Sequence, residues 1–185
     1  MKYIVLIILI VPSIIFAGPA GPEVPVAKTV IQNTKGYVEI AFSPGGGITG
    51  MIVKEIESAK SSIDVQAYSF TSIPITDALV DAKNKGVSVR IILDKSDVRE
   101  KGGALPALIS AGIETKIDYA FAIAHSKVMI IDGRDVVTGS FNFTASAEKN
   151  NSENCIILHD NPDISKTYEK DFSWRWSNTD DYNEK

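Results

Sequence analysis

The sequence predicts a single α/β domain in which a mixed β-sheet is sandwiched between helices. The chain has 185 residues, the length of one domain with a substantial core. Its composition, 44% hydrophobic and 23% charged, is typical of a globular protein and excludes a disordered or multi-span membrane protein. From residue 36 onward, segments with strand patterns alternate with segments of helical periodicity, as expected for an α/β sheet.

The elements follow one another in the chain with few interruptions. Strands are predicted at residues 37–42, 63–68, 87–93, 114–117, 126–131, 136–140 and 155–159. Helices are predicted at residues 48–56, 75–84 and 105–110, and Asn161-Pro162 opens a last helix whose apolar repeat ends at Trp176, which we expect in the core. The early strands, separated by helices, favour parallel pairing, and the late hairpin favours antiparallel pairing.

The amino terminus has the pattern of an export signal. Met1-Lys2 precedes an apolar run that ends near Ala17, which predicts a signal peptide or, as the alternative, an uncleaved anchor that associates the protein with a membrane. We therefore expect an exported protein, periplasmic or secreted. The predicted segments are the signal at 1–17, a Pro/Gly-rich linker at 18–35, the folded domain at 36–178 and an acidic tail at 179–185.

The net charge and the small number of cysteine and histidine residues limit the partners, disulfides and metal sites that this chain can have. With a net charge of −4, a nucleic-acid partner would have to bind a local basic patch. Cys155 is the single cysteine, which excludes an intramolecular disulfide, and we predict it to be a buried packing residue. One Cys and two His do not build a common structural zinc site. We predict that His159 is a solvated strand end.

The segment from residue 125 to residue 142 carries the candidate chemistry. Strand alternation places His125 and Lys127 on one face and Asp132 on the other, about 16 Å from Lys127 at 3.3 Å per residue. We therefore interpret Asp132 as a turn or structural residue. A two-residue turn at Gly133-Arg134 would pair Asp132 with Asp135.

That register would place Ser140 opposite Lys127 and Asn142 opposite His125. The ammonium would neutralise the charge of a phosphate, the hydroxyl and amide would bind its oxygens, and the imidazole would attack phosphorus. A histidine nucleophile needs a group that fixes its tautomer, and Glu153 is the candidate, with a surface carboxylate as the alternative interpretation.

The pattern H-x-K-x4-D-x6-G-S-x-N, from His125 to Asn142, resembles the signature of the phospholipase D superfamily, and more closely that of the single-motif bacterial Nuc-type endonucleases. The resemblance covers nearly all of the mature chain and implies a phospholipase D-like catalytic domain at 36–178. It implies that His125 forms a phosphohistidine, that Lys127 and Asn142 bind phosphate, that Ser140 supports the site and that Glu153 holds His125. Asp132 and Gly139 define the motif without reacting.

One motif per chain predicts a homodimer. Displacing an alkoxide from a phosphodiester needs a general acid opposite the nucleophile, and His125 is the one histidine in a suitable context. A two-fold dimer would bring one His125 from each subunit to a shared site, and the pair would titrate with two apparent pKa values. We expect no metal or other cofactor to be required, so activity should survive EDTA.

These inferences predict an exported, metal-independent phosphodiesterase, a non-sequence-specific endonuclease on DNA or RNA that leaves 5′-phosphate ends, as the resemblance implies. Lys95 and Arg99 are candidate substrate-binding cations, and Tyr119 and Phe121 are candidate base-stacking residues. The alternatives are a phospholipid hydrolase with the same site and a non-catalytic nucleic-acid-binding domain. Strand preference and the choice between DNA and RNA stay open.

Overall fold

The computed structural model describes residues 36–182. The predicted signal, the predicted linker up to residue 35 and the last three residues of the predicted tail lie outside this range. The strands are β1 (Tyr37–Ser43), β2 (Ser62–Ala67), β3 (Ser88–Asp94), β4 (Glu114–Asp118), β5 (Lys127–Ile131), β6 (Asp135–Gly139), β7 (Glu153–His159) and β8 (Asp180–Asp181). The helices are α1 (Ile48–Ser58), α2 (Ile73–Asn84), α3 (Leu105–Ser110), α4 (Ala145–Lys149) and α5 (Pro162–Ser177).

The eight strands of residues 36–182 form one mixed sheet in the order β1-β7-β6-β5-β2-β3-β4-β8. Strands β2, β3 and β4 are parallel, and the other neighbouring pairs are antiparallel. The predicted fold class, a mixed sheet between helices, is confirmed. The sequence patterns did not predict α4, the 3-10 helix Lys95–Arg99 or the short β8, which adds part of the predicted tail to the sheet.

Two apolar cores hold the layers together. On one face of the sheet, side chains of α1, α2 and α3 pack against strand residues such as Val65 and Ile91. On the other face, Phe172 of α5 packs against Val128, Ile130 and Val136, and Trp176 packs against this second core, as the apolar repeat predicted. Within residues 36–182, no helix is long and apolar enough to cross a membrane.

The β5–β6 hairpin has a different register from the predicted one. Ile131 pairs with Asp135 and Val128 with Thr138, so the turn contains three residues, 132–134. The predicted two-residue turn, with Asp132 opposite Asp135, is therefore wrong by one position. The physical reason is local: Asp132 has a φ of 52° and Gly133 a φ of 65°, so both leave the strand conformation before the chain reverses.

The Asp132 side chain ties this turn to the start of β2. Its carboxylate accepts hydrogen bonds from the backbone N–H groups of Lys60, Ser61 and Ser62, at 2.8, 2.7 and 3.0 Å, and from the Ser61 hydroxyl at 2.8 Å. Burial acts to raise the pKa of Asp132, but these hydrogen bonds outweigh it and lower the pKa below its usual value. The contacts of Asp132 are those of a turn-stabilising residue.

Two predictions about strand β7 have different outcomes. Cys155 is 2% exposed, and burial raises the pKa of its thiol to about 12, so it is a packing residue as predicted. The prediction that His159 is a solvated strand end is wrong, because His159 is 7% exposed. Pairing of β1 with β7 buries its imidazole, since the Tyr37 ring stacks on it at 4.2 Å and Glu39 bonds to it at 2.9 Å.

We expect Asp132→Asn to lower the free energy of unfolding by about 1–2 kcal/mol, because the substitution weakens several charge-assisted hydrogen bonds while keeping a residue that tolerates positive φ. Chemical denaturation at pH 7 measures the loss. Since the folded pKa is depressed, this contribution is present above the unfolded pKa of about 4 and disappears as the pH falls through the folded value. The exposed Asp81→Asn in α2 is the control, and equal stabilities of the two variants would contradict the assignment.

Candidate active site

The candidate site lies at one edge of the sheet, where strands of opposite direction begin and end. Lys127 begins β5, Gly139 ends β6 and Glu153 begins β7. Because β2 runs antiparallel to β5, its carboxyl end and the following Tyr68 reach the same edge. The structure thus brings together the strand ends that carry the motif.

His125 and Lys127 share an aromatic neighbour that the sequence reasoning missed. The His125 ring is exposed and lies 4.5 Å from the Tyr68 ring, between ring centroids. The Lys127 ammonium lies 5.0 Å from the centre of the same ring and donates a 2.7 Å hydrogen bond to the His125 carbonyl oxygen. Tyr68 directly follows a buried strand at the site edge, which is the signal that could have identified it.

Burial and charge act in opposite directions on Lys127. The residue is 6% exposed, and burial lowers the pKa of its amine, while the nearby Glu153 carboxylate raises it. An additional anion beside the ammonium would favour the charged form in the same way. The position therefore suits a cation that meets a negatively charged ligand.

Glu153 has different partners from the predicted one. One carboxylate oxygen accepts a hydrogen bond from the Ser140 hydroxyl at 2.5 Å, and the other accepts one from the Asn151 amide at 3.0 Å. Within residues 36–182, no hydrogen bond joins Glu153 to the His125 ring. In this structure the predicted direct contact is absent, because the sharp turn after β6 brings Ser140 between the strand ends.

Gly139 makes that turn possible. A Cβ at this position would lie 2.3 Å from the Asn154 carbonyl oxygen, and the residue has a φ of +150°. The next two N–H groups, of Ser140 and Phe141, both donate to that same carbonyl oxygen, at 3.1 and 3.3 Å. The chain is thereby bent so that Ser140, which the observed register would otherwise place beyond β6, reaches Glu153.

Asn142 follows the turn and offers one unsatisfied polar atom. Its side-chain amide oxygen is buried and has no hydrogen-bond partner among residues 36–182. A half-rotation of the side-chain amide exchanges its oxygen and nitrogen, and the hydrogen-bond partners that are present determine which orientation is adopted. A phosphate at this edge would select the orientation that donates.

A buried carboxylate fixes the loop before His125. Asp94, at the end of β3, accepts hydrogen bonds from Ala124 N–H at 2.7 Å and from Ser96 N–H at 2.8 Å. Burial raises the pKa of Asp94, but the hydrogen bonds from Ser96 and Ala124 outweigh this and lower it. Asp94 is a second residue that sequence reasoning missed, because its contact spans 30 residues.

The candidate substrate-binding residues divide into two groups. Lys95, Arg99 and Tyr119 line a cavity of about 490 Å³ near the site edge. Phe121 does not line that cavity, because its ring packs 4.9 Å from the Arg175 guanidinium and 6.4 Å from the Trp174 ring. Phe121 therefore has neighbours within the domain, and its role in stacking on bases stays a prediction.

Within residues 36–182, one group of three side chains has the spacing to hold a metal ion, and it lies away from the candidate active site. The group consists of Glu55, Asp135 and His159, near the opposite edge of the sheet. The motif residues at the site edge supply cations, hydroxyl and amide groups, which suit an anionic ligand.

The sequence matches the family described as "Cardiolipin synthase, PLD-like domain" over residues 52–176. The phospholipase D of Rickettsia prowazekii is 45% identical over 132 residues, which are 71% of this chain and 64% of that protein. The mitochondrial cardiolipin hydrolase of Chlamydomonas reinhardtii is 35% identical over 119 residues, which are 64% of this chain and 53% of that protein. The matched region therefore spans less than two thirds of either relative.

Two solved structures have the same fold. Nuc from Salmonella typhimurium, a phospholipase D family member, is 37% identical with a TM-score of 0.75, over 80% of this chain and 99% of Nuc. NucT from Helicobacter pylori has a TM-score of 0.70 over 79% of this chain and 100% of NucT, at 20% identity, which shows the fold alone.

We expect Tyr68→Leu to remove a ring-current displacement of the His125 imidazole proton resonances that Tyr68→Phe retains, because only an aromatic ring at 4.5 Å produces it. Proton NMR of the histidine rings measures the effect. The chain has two histidines, so His159 is an internal control whose resonances should stay in place. His125 resonances that are unchanged in Tyr68→Leu would show that the rings do not pack in solution.

Proposed function

Because this chain belongs to the phospholipase D superfamily, we propose that it hydrolyses phosphodiester bonds, that its substrate is nucleic acid and that it is an endonuclease. The support is the likeness to Nuc at 37% identity over 99% of that chain, together with an open and locally cationic site edge. No base-reading element is visible within residues 36–182, so we propose that cleavage is independent of sequence.

The observation that carries this proposal is the exposed His125 imidazole and the Lys127 ammonium, which lie against the same Tyr68 ring at one edge of the sheet. A phosphodiester backbone can pass along such an edge without a deep pocket. Lys95 and Arg99 in the neighbouring cavity supply positive charge, and Tyr119, which is 53% exposed, offers a ring for stacking.

The proposed chemistry has two steps. A neutral His125 ring nitrogen attacks phosphorus, a P–N bond forms, and the P–O bond to the leaving 3′ oxygen breaks as that oxygen takes a proton from a second imidazole. Water then attacks the phosphohistidine, the second imidazole takes the water proton, and the P–N bond breaks to leave a 5′-phosphate. Lys127 and Asn142 bind the phosphate oxygens that gain charge in each step.

Ser140 and Glu153 have a supporting role in this scheme. The Ser140 hydroxyl donates to Glu153 and accepts from Asn154 N–H at 3.1 Å, so the pair is held firmly at the strand ends. We propose that Glu153 positions the phosphate-binding groups through Ser140 in the free subunit, and that it orients a His125 ring only when the shared site is assembled.

The second imidazole would come from a second copy of the chain. On the α5 side of the sheet, the helix covers β3 to β6 and leaves the β1 end open. On this face, which no other part of residues 36–182 covers, Val38, Ile40 and Phe42 are 49%, 58% and 64% exposed. Phe42 pairs with Asn154, whose amide bonds to Ser140, so the apolar strip borders the candidate site and suits a two-fold interface.

A phospholipid substrate is the second candidate. Relatives at 45% and 35% identity are named phospholipase D and mitochondrial cardiolipin hydrolase. Beside Ile73, which is 71% exposed, the structure also has a cavity of about 430 Å³ that Thr71 and Pro74 line and that could receive part of an acyl chain. The same histidine chemistry would then release the head group.

We expect the purified protein to cleave DNA with EDTA present, and His125→Asn to reduce the rate by at least about 10⁴-fold, since the nucleophile is lost. Assays with circular single-stranded DNA, duplex DNA, RNA, phosphatidylcholine and cardiolipin vesicles measure the substrate class. Lys83→Gln, outside the site, is the control for charge removal and should keep the activity. Hydrolysis of lipid without cleavage of nucleic acid would replace the proposal with the second candidate.

We expect His125→Asn, mixed in excess with the unmodified protein, to inhibit it beyond simple dilution, because each mixed dimer contains one histidine where two are needed. Adding Phe42→Asp to His125→Asn should abolish this inhibition, since a charge in the apolar strip prevents pairing. Sedimentation together with initial rates measures both effects. A fully active monomer would contradict the shared site. The substrate assays described above would then decide the nuclease assignment by themselves.

A further inference from the structure

A second polar cluster lies near the edge of the sheet opposite the candidate active site, and we propose that it binds one divalent transition-metal cation such as Zn²⁺. Glu55 belongs to the last turns of α1, Asp135 begins β6 and His159 ends β7. One donor atom of each lies within 4.8 Å of the others, and all three residues are buried. A cation at the centre of the three would hold a helix and two strands together.

The strongest sign of a missing partner is the Glu55 carboxylate. Glu55 is 7% exposed, and its Oε1 atom is buried with no hydrogen-bond partner among residues 36–182. A buried carboxylate oxygen without a partner destabilises the folded state unless a proton or a cation compensates it. The second oxygen of the same carboxylate, Oε2, lies 3.6 Å from His159 Nδ1, so the group borders the cluster in which a cation would satisfy it.

The His159 ring is already oriented as a ligand. Its Nε2 lies 2.9 Å from the Glu39 carboxylate, while its Nδ1 faces Glu55 at 3.6 Å. When Nε2–H donates to Glu39, the unprotonated Nδ1 presents its lone pair to the cluster. Metal-bound histidines commonly donate their other N–H to a carboxylate in this way, which fixes the tautomer.

The surrounding charges leave room for a cation. Asp135 accepts hydrogen bonds from Arg134 Nε at 3.0 Å and from Asp160 N–H at 2.6 Å. Of these two donors, only the Arg134 guanidinium carries a positive charge. The Arg134 side chain is 55% exposed, so its charge is largely solvated and offsets the two carboxylates only in part. Burial raises the pKa of Glu55, His159 opposes this and Asp135 adds to it, so a proton competes with the metal for this position.

The donor set defines the class of metal. One imidazole nitrogen and two carboxylates suit Zn²⁺, Mn²⁺ or Co²⁺ better than Ca²⁺ or Mg²⁺, which prefer oxygen ligands alone. Three protein ligands leave at least one position for water. His159 lies six residues from Glu153 along β7, about 20 Å away, so this cation would act on the stability of the fold and would not touch the reacting phosphate.

The test uses the full chain, stripped of metal with EDTA and titrated with Zn²⁺ by calorimetry. We expect one Zn²⁺ per chain and, at about 100 times the dissociation constant, a rise in Tm of about 5–10 °C. His125→Asn should still bind one equivalent, whereas His159→Gln and Glu55→Gln should bind none. Glu57→Gln, exposed on the same helix, is the matched control and should bind normally.

A measurement on the unmodified protein keeps the test independent of whether the variants fold. Proton NMR should show the His159 ring resonances shifting on addition of one Zn²⁺ while those of His125 stay in place. Absence of stoichiometric binding, or one equivalent that shifts His125 instead of His159, would overturn the proposal. The first result would leave Glu55 and Asp135 as a buried pair that shares a proton.

Discussion

The antiparallel pairing of β2 with β5 is the contact on which the arrangement of the molecule depends. It joins a parallel half, β2 to β4, to an antiparallel half, β5 to β1. Because direction reverses there, the end of β2 and the beginning of β5 meet at one edge, with Ala67 opposite Lys127. Without that reversal, Tyr68 would lie at the far end of the sheet from the Lys127 ammonium that it now contacts.

Hydrogen bonds from backbone N–H groups decide whether the pKa values of the carboxylates near the two edges of the sheet are lowered or raised. Asp94 and Asp132 each accept several of them, and their pKa values are lowered in spite of burial. Asp97 accepts one such bond, from Phe70, and lies near Glu100, so burial and then Glu100 raise its pKa to about 8. Asp94 and Asp132 fix the loops at either end of the hairpin strands, and Asp97 belongs to the 3-10 helix whose Lys95 and Arg99 line the neighbouring cavity.

The sequence predicted the elements well because strand alternation, helical periodicity and the Gly and Pro positions are local signals. The sequence predicted side-chain contacts less well where a single residue departs from regular strand geometry. Asp132 turns to positive φ and shifts the hairpin by one residue, which a two-residue turn could not anticipate. Gly139 then bends the chain so that Ser140 reaches Glu153 by a route that ideal strands do not have. Burial of His159 depends on β1, which is more than 115 residues away in sequence.

The two histidines show how one side chain acquires opposite properties from its surroundings. His125 follows a loop at an open edge, with an exposed ring and one aromatic neighbour, so a ring nitrogen is free to meet a substrate. His159 ends a strand that a neighbouring strand covers, and carboxylates face both of its ring nitrogens. An exposed ring can reach a substrate and form and break a bond with it, whereas enclosure by carboxylates suits a ligand that must stay in place. The same strand, β7, carries Glu153 at one end and His159 at the other, and so connects the two environments while keeping their chemistry separate.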